Sequence, residues 1–191
     1  MTERSAPDFR TKPTLPGEKV VLRPVTAEDA AVLYPLMDEP EVRRLTGSHG
    51  EISWAQAVRW YGTRADHQDR LDLAVVDRET GECVGEAVLN EWSPADESCN
   101  FRILIGRPGQ GRGLGTETVR LLVGYGFEKL GLHRISLEVY AFNPRARRTY
   151  EKVGFVAEGV LRDALRWDGE WVDATVMSIL AAEWEQHRGR P

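Results

Sequence analysis

The spacing of apolar residues along the chain predicts one strand followed by two helices in the first third. A run of apolar residues in 19–25 predicts a strand. Apolar residues then recur at helical spacing in 26–37 and 53–66. Each of these segments opens on a residue typical of a helix N-cap, Thr26 and Ser53.

The pattern shortens after residue 70 and predicts a sheet. Strand-like runs at 71–77, 83–92 and 98–106 are separated by turn-rich segments, which is typical of an antiparallel meander. Helical and strand-like patterns then alternate, which favours an α+β or mixed α/β domain with helices on the faces of a sheet, rather than a repeating βαβ fold. The later elements are expected at 114–131 and 143–154 for helices, and at 133–141, 155–165 and 170–180 for strands.

Composition narrows the class without naming an activity. The 191 residues are 41% hydrophobic and 29% charged, and they fit a single domain, expected over 18–191. The net charge of -5 argues against a nucleic-acid partner. No run of 18 apolar residues predicts a membrane span, and the N-terminus lacks the apolar core of a signal peptide. We therefore expect a cytoplasmic protein with no membrane partner and a flexible N-terminal arm over 1–17.

The cysteines and histidines give no sign of a metal site. Cys83 and Cys99 form no CxxC pair, and the four histidines do not complete a ligand set of usual spacing. The prediction is two free thiols and no bound metal.

A glycine-rich stretch, GQGRGLGTETVR at 109–120, stands at the start of the helix expected from 114. A Walker A loop would need a lysine that is absent here, and a dinucleotide fingerprint would follow the first strand of the fold. The pattern Q-x-x-G-x-G beginning at Gln110 instead favours a backbone cradle for a pyrophosphate. Glycines let N–H groups turn inward, and the helix N-terminus adds unpaired N–H groups of its own. Arg112 is expected to add positive charge.

A second motif follows in LEVYAFNPRARRTYEKVGF, residues 137–155. Glu138, Asn143 and Tyr150 have the spacing E-x4-N-x6-Y, and EKVGF follows the tyrosine. With the glycine loop, this motif resembles the GNAT acetyltransferase superfamily, over about residues 17–182. The closing segment resembles the branch that acetylates the N-termini of ribosomal proteins, which also includes enzymes that modify antibiotics and polyamines. The resemblance implies the GNAT fold, a central, mixed, mostly antiparallel twisted sheet flanked by helices.

The resemblance also implies an activity. Acetyl-CoA would be the cosubstrate, with no metal, and a primary amine would attack the thioester directly in a ternary complex. The acceptor would be a protein N-terminus or a small-molecule amine, including an aminoglycoside or another antibiotic. A CoA-binding regulatory domain without catalysis is the alternative, and a homodimer is expected from the relatives.

The matching positions provide candidate residues for the cosubstrate. The strand before the loop is expected to contact the acetyl and pantetheine groups, and Asn143 to hold a pantetheine amide. The loop itself is expected to bind the pyrophosphate. The strand residues are Ile103, Leu104 and Ile105, and the loop residues are Gln110, Gly111, Arg112, Gly113, Leu114, Gly115 and Thr116.

The catalytic candidates are Tyr150 and Glu138. Tyr150 is expected to be the general acid beside the CoA sulfur, because a phenol can protonate a thiolate as it forms. Glu138 is the first candidate for the base that deprotonates the amine, and Glu86 and Glu91 are the next. Asn100 stands where many members of the branch carry an acidic residue, so that position provides no base here.

Overall fold

The computed structural model describes residues 8–188, which form one sheet with helices on both faces. The strands are β1 (Leu15–Pro16), β2 (Val20–Pro24), β3 (Leu71–Asp77), β4 (Cys83–Ser93), β5 (Ser98–Ile105), β6 (Arg134–Tyr140), β7 (Val156–Trp167) and β8 (Glu170–Leu180). The helices are α1 (Ala30–Asp38), α2 (Pro40–Thr46), α3 (Trp54–Thr63), α4 (Leu114–Glu128), α5 (Pro144–Val153) and α6 (Ala181–His187).

The sheet has the strand order β1-β2-β3-β4-β5-β6-β8-β7. Every neighbouring pair is antiparallel except β5 and β6, which run parallel and are connected through α4. A parallel pair needs a crossover, and the helix that follows the glycine loop provides it. The prediction of a mixed, mostly antiparallel sheet flanked by helices is therefore confirmed.

The predicted helix starts are also found. The Ser53 hydroxyl accepts a hydrogen bond from the Gln56 N–H, and the Ser53 N–H donates to Gln56 Oε1, which is a complete capping box. The Thr26 N–H donates to the Asp29 carboxylate at 2.8 Å, ahead of a short 3-10 turn that leads into α1. The sequence pattern did not predict β1, α2 or α6, which are two to seven residues long and too short for a periodic signal.

Residues 8–17, part of the predicted flexible arm, pack against the domain. Phe9 is 1% exposed, and its ring lies 5.1 Å from that of Trp92. The Lys12 ammonium donates to the backbone carbonyls of Phe9, His67 and Arg70 at 2.6–2.8 Å. The burial of an aromatic ring accounts for this difference from the expectation. Residues 1–7 of the predicted arm lie outside the described residues.

Two apolar clusters cover the two faces of the sheet. The larger cluster, including Phe101 and Leu122, packs α4 and α5 against one face. The smaller cluster, including Leu33 and Tyr61, packs α1 and α3 against the other face of β3 to β5. Within residues 8–188, no helix combines the length and apolar character needed to cross a bilayer.

Candidate active site

The glycine loop joins β5 to α4 through a short 3-10 turn at Arg107–Gly109. Gly111 and Gly113 have φ angles of +78° and +84°, a region that side chains with a Cβ rarely adopt. With this backbone conformation at the two glycines, the chain reverses direction and α4 begins at Leu114. The glycine spacing in the sequence therefore corresponds to a backbone requirement.

The backbone N–H groups of residues 111–116 make no well-aligned hydrogen bond to the described residues, although residues 110–113 form a turn. In contrast, the N–H groups of Gly109 and Gln110 donate to carbonyls of the preceding turn. Leu114, Gly115 and Thr116 form the first turn of α4, whose N–H groups are unpaired in any α-helix and lie at its positive end. A cluster of free donors of this kind fits a doubly charged pyrophosphate.

The arginines near the loop have acidic partners already. The Arg112 guanidinium binds the carboxylates of Asp77 and Glu79, on the hairpin between β3 and β4. Arg107 lies 3.9 Å from Glu39 and 3.7 Å from Glu41, at the start of α2. The Arg112 side chain, which we expected to add charge for the phosphate, is instead bound to the hairpin, and only its backbone N–H remains free.

The second half of the site is a gap in the middle of the sheet. Pairing between β5 and β6 covers Ser98 to Asn100 and stops at Asn100 opposite Ser136, although β5 continues to Ile105 and β6 to Tyr140. Beyond Asn100 the two strands separate. This opens an internal edge with unpaired backbone groups, which are rare inside a sheet.

The register of β5 shows which backbone groups face that gap. The Gly106 N–H donates to the Val84 carbonyl of β4, and backbone direction alternates along an antiparallel strand. Leu104 therefore bonds to β4, whereas the backbone groups of Ile103 and Ile105 face the gap. The Leu104 side chain packs with the α1–α3 cluster, and those of Ile103 and Ile105 pack with the α4–α5 cluster. Of the three predicted strand residues, Ile103 and Ile105 have the backbone orientation needed to contact a ligand.

Gln110 and Asn143 both have structural partners. Gln110 Nε2 donates to the Ile105 carbonyl at 3.0 Å, and its Oε1 accepts from Arg145 at 3.0 Å. Gln110 therefore links the end of β5 to the start of α5. Asn143 Oδ1 caps α5 by accepting from the Ala146 N–H at 3.1 Å. The Asn143 Nδ2 makes no hydrogen bond within the described part of the chain, so it is free to donate to a ligand amide.

Tyr150 lies on the buried face of α5, with 7% of the residue exposed. Its ring makes an edge contact with Phe101 of β5, with the centroids 6.3 Å apart, and it packs against Phe155. Burial raises the pKa of the Tyr150 phenol, so the hydroxyl keeps its proton across neutral pH. No hydrogen bond joins this hydroxyl to residues 8–188. Tyr150 thus contacts the strand that borders the gap and has an uncommitted donor.

The three candidate bases lie in different environments. Glu138 is exposed on β6 opposite Val176, without an ion pair within residues 8–188. Glu91 is exposed at the bulge of β4, beyond the closed end of the gap. Glu86 lies in the middle of β4, directly between Ala74 and Leu104 on neighbouring strands, and therefore on the sheet face covered by α1 and α3.

Burial is the main reason why Glu86 differs from the other two. Burial and, to a lesser extent, the Asp72 carboxylate raise the pKa of the Glu86 carboxyl to about 7, against the opposing effects of the Tyr61 hydroxyl and two arginines. A carboxyl that titrates near neutral pH is suited to accept and release protons. A single carboxylate within the apolar run Val84 to Leu89 is the sequence signal for this residue. The sequence gives no comparable indication that Tyr61 and Asp72 lie near Glu86, because they belong to α3 and β3 and come together with β4 only in the fold.

The acceptor side of the site is closed by two segments far apart in sequence. His49, between α2 and α3, stacks on Trp167 in the β7–β8 hairpin with centroids 5.3 Å apart. Tyr140, at the open end of β6, lies close to Gly47 at the end of α2. A cleft therefore lies over the gap, with the glycine loop on one side and Glu86 and Glu138 on the other sheet face.

The loop of N–H donors and the separated strands β5 and β6 together form a site where the backbone can bind an extended ligand that carries a pyrophosphate. A family model described as an acetyltransferase (GNAT) domain matches residues 19–156. The chain belongs to the GNAT acetyltransferase family, which uses acetyl-CoA, and it is an N-acetyltransferase.

Individual relatives cover most of the chain. The spermidine N(1)-acetyltransferase of Escherichia coli (strain K12) is 29% identical over 164 residues, which are 85% of this chain and 87% of that protein. YdaF of Bacillus subtilis (strain 168), which is named only provisionally as a ribosomal N-acetyltransferase, is 30% identical over 105 residues, 55% of this chain and 57% of its own. The crystal structure of spermidine N-acetyltransferase from Vibrio cholerae in complex with CoA and spermine has a TM-score of 0.82 at 25% identity, and the match covers 88% of this chain and 99% of that one.

Proposed function

We propose that the protein transfers the acetyl group of acetyl-CoA to a primary amine by direct attack in a ternary complex. The observation that carries this proposal is the gap between β5 and β6, which ends at the free N–H groups of residues 111–116. A pantetheine arm fits between the separated strands while its pyrophosphate occupies the cradle. Asn143 Nδ2 is free to donate to a pantetheine amide.

The residues around the gap support three chemical roles. The Ile103 N–H faces the gap and is placed to donate to the thioester oxygen as that oxygen gains negative charge. Tyr150 is the proton donor for the sulfur, and its raised pKa keeps the donor present at working pH. The amine must lose a proton before or during attack, and we assign that proton to Glu86, directly or through a water molecule.

The bonds balance in this scheme. The amine nitrogen forms a bond to the thioester carbon, and the carbon–sulfur bond breaks to leave a thiolate. Glu86 accepts the proton from the nitrogen, and the thiolate accepts one from Tyr150, which solvent later restores. Glu138 is exposed and shows no comparable burial, so it is the second candidate for the base.

We propose a small-molecule amine as the acceptor. The names of the relatives point in two directions, because one group acetylates spermidine and YdaF is assigned to ribosomal protein. The spermidine enzyme matches 85% of this chain, against 55% for YdaF, and this supports the small molecule. The panel to test contains spermidine, an aminoglycoside and a short peptide with a free N-terminus, with thiol release as the readout.

The first experiment is thermal unfolding with acetyl-CoA, CoA, ATP and NAD, each in excess. A ligand at about a hundred times its Kd stabilises the folded state by about 2.7 kcal/mol. Stabilisation by CoA species alone is the expected result. Stabilisation by ATP or NAD instead would contradict the assignment of the glycine loop.

Turnover of Tyr150→Phe then separates an enzyme from a CoA-binding domain without catalysis. We expect the variant to bind CoA and to lose about a hundredfold in kcat, within the usual range for a general acid. Equal turnover by the variant and the wild type would show that Tyr150 is not the acid. A cytoplasmic location and a homodimer remain predictions.

A further inference from the structure

Charged side chains bind Arg112 of the glycine loop from the β3–β4 hairpin and from Lys19, which precedes β2. The Arg112 guanidinium binds Asp77 and Glu79 on the β3–β4 hairpin. The Lys19 ammonium donates to the Arg112 carbonyl at 3.3 Å. A peptide carbonyl and the following N–H point in opposite directions, so the Lys19 contact turns the Gly113 N–H away from β2 and toward the front of the loop.

Glu117, near the start of α4, binds the backbone at the start of β2 to the helix. The Glu117 carboxylate accepts hydrogen bonds from the N–H groups of Glu18, Lys19 and Val20 at 2.6, 2.8 and 2.9 Å. Carboxylates that bond to N–H groups are strong acceptors, so β2 and the first turn of α4 move as one unit. Lys19 is therefore held in place at the loop by its own backbone.

Asp77 is a rigid anchor for this arrangement. It ends β3 opposite Val20, is 1% exposed, and accepts a hydrogen bond from the Glu79 N–H at 3.0 Å with its Oδ1. Its Oδ2 binds Arg112, and that guanidinium holds the pKa of the Asp77 carboxyl below its usual range. Arg112 is thus anchored to the sheet by the side chain, while its N–H stays in the loop.

We propose that Asp77 is a positioning residue for the cosubstrate: through Arg112 it holds the glycine loop in the conformation that presents the N–H groups of residues 111–116 to the pyrophosphate. This inference rests on the proposed function, because it concerns the same acetyl-CoA site. It replaces the expectation that the Arg112 charge binds the phosphate directly.

The sign of one effect distinguishes the two roles of Arg112. If the guanidinium bound phosphate, removal of the Asp77 charge would free it and relieve repulsion of an anionic ligand, so acetyl-CoA would bind more tightly. If Asp77 positions the loop, the same substitution weakens binding, although it removes a negative charge from the neighbourhood of an anion. Simple electrostatics and positioning therefore predict opposite results.

The experiment measures KM and kcat of Asp77→Asn, Arg112→Met and the double variant with acetyl-CoA and with acetyl-pantetheine, which lacks the phosphates. Each single variant is expected to raise the KM for acetyl-CoA by about tenfold, as for the loss of a hydrogen bond to a charged group. The KM of the double variant for acetyl-CoA should be no higher than that of the more impaired single variant, because both substitutions break the same Asp77–Arg112 contact. Asp77→Asn should use acetyl-pantetheine as well as the wild type does. Asp66→Asn, an exposed residue with the same change in charge, is the control.

Tighter or unchanged binding of acetyl-CoA by Asp77→Asn, together with weaker binding by Arg112→Met, would overturn the proposal. If Asp77→Asn does not fold, Glu79→Gln carries the same test, since that carboxylate is 79% exposed and also binds Arg112. Weaker binding of acetyl-CoA by Glu79→Gln supports the positioning role, and tighter binding contradicts it. A wild-type protein that binds no acetyl-CoA would instead overturn the proposed function.

Discussion

The two sides of the cleft are built from different parts of the polypeptide. On the cofactor side, defined as residues 103–116 with the start of α5, the free groups are backbone N–H donors together with Asn143 Nδ2, and the arginines nearby are bound to other residues. On the acceptor side, defined as the sheet face under α1 to α3, the groups available for chemistry are side chains such as Glu86. Backbone geometry is therefore expected to control donor binding, and side-chain chemistry to control proton transfer. Substitutions on the two sides should separate KM for acetyl-CoA from kcat.

Glu86→Gln should have the largest effect. The variant keeps the shape of the side chain but cannot accept a proton, so kcat should fall by about a hundredfold or more while acetyl-CoA binding is kept. Steady-state kinetics at saturating acetyl-CoA measure this directly. Glu138→Gln is the matched control, and a large loss there with normal turnover in Glu86→Gln would assign the base to Glu138.

The pH profile should show the same group at work. Because the carboxylate is the active form and the pKa of Glu86 is about 7, kcat/KM for the amine should rise about tenfold per pH unit below pH 7.

The stability of the protein should decrease over the same pH range. The folded protein holds the Glu86 proton up to about pH 7 and the unfolded chain loses it near its ordinary pKa of 4.5, so the free energy of unfolding decreases as pH rises through that window. Glu86→Gln should lack both trends, and a pH-independent difference in stability between the two proteins would contradict this account.

Gly113→Ala should affect the cofactor side and leave kcat nearly intact. Its φ of +84° is unfavourable for alanine, and the added Cβ would lie 3.2 Å from the Lys19 ammonium. Strain of this kind costs about 1–3 kcal/mol, so a loss of about tenfold or more in acetyl-CoA affinity is expected. Gly169→Ala, at a φ of +85° with open space around it, is the control for strain alone. Calorimetric titration of both variants makes the comparison, and equal affinities would show that the loop tolerates the change.

Arg145→Met should give the smallest effect. Arg145 supports Gln110, which in turn bonds to the Ile105 carbonyl, but the Arg145–Gln110 bond is exposed. A net contribution of about 1 kcal/mol is usual for such a bond, so a rise of a few fold in the Kd for acetyl-CoA is expected. Arg147→Met, which removes only an ion pair with Glu151, should leave the Kd unchanged. A larger loss in Arg147→Met would place that residue at the ligand.

The same contrast explains what could be predicted from the sequence. The glycine turns and the Asn143 cap depend on residues within a few positions of each other, so their pattern can be read locally. The carboxylate partners of Arg112 lie 35 and 33 positions away, and the bonds of Glu117 to residues 18–20 span 97–99 positions. Such contacts follow from the strand order, which a single sequence does not encode as a periodic signal. The sequence therefore predicts that Arg112 lies in the glycine loop, but it does not predict which groups the Arg112 side chain binds.

The gap between β5 and β6 makes the donor substrate a structural part of the sheet. In the part of the chain that the structure describes, β6, β8 and β7 pair with the other five strands only through the short ladder from Ser98 to Asn100. A pantetheine arm carries its own amides and can complete that ladder as a short additional strand. In amide hydrogen exchange, the N–H groups of Ile103 and Ile105 should therefore exchange quickly in the free protein, and those of Arg102 and Leu104, which face β4, should exchange slowly. Addition of CoA should slow the first pair, so that the cosubstrate joins the two halves of the sheet into one cooperative unit.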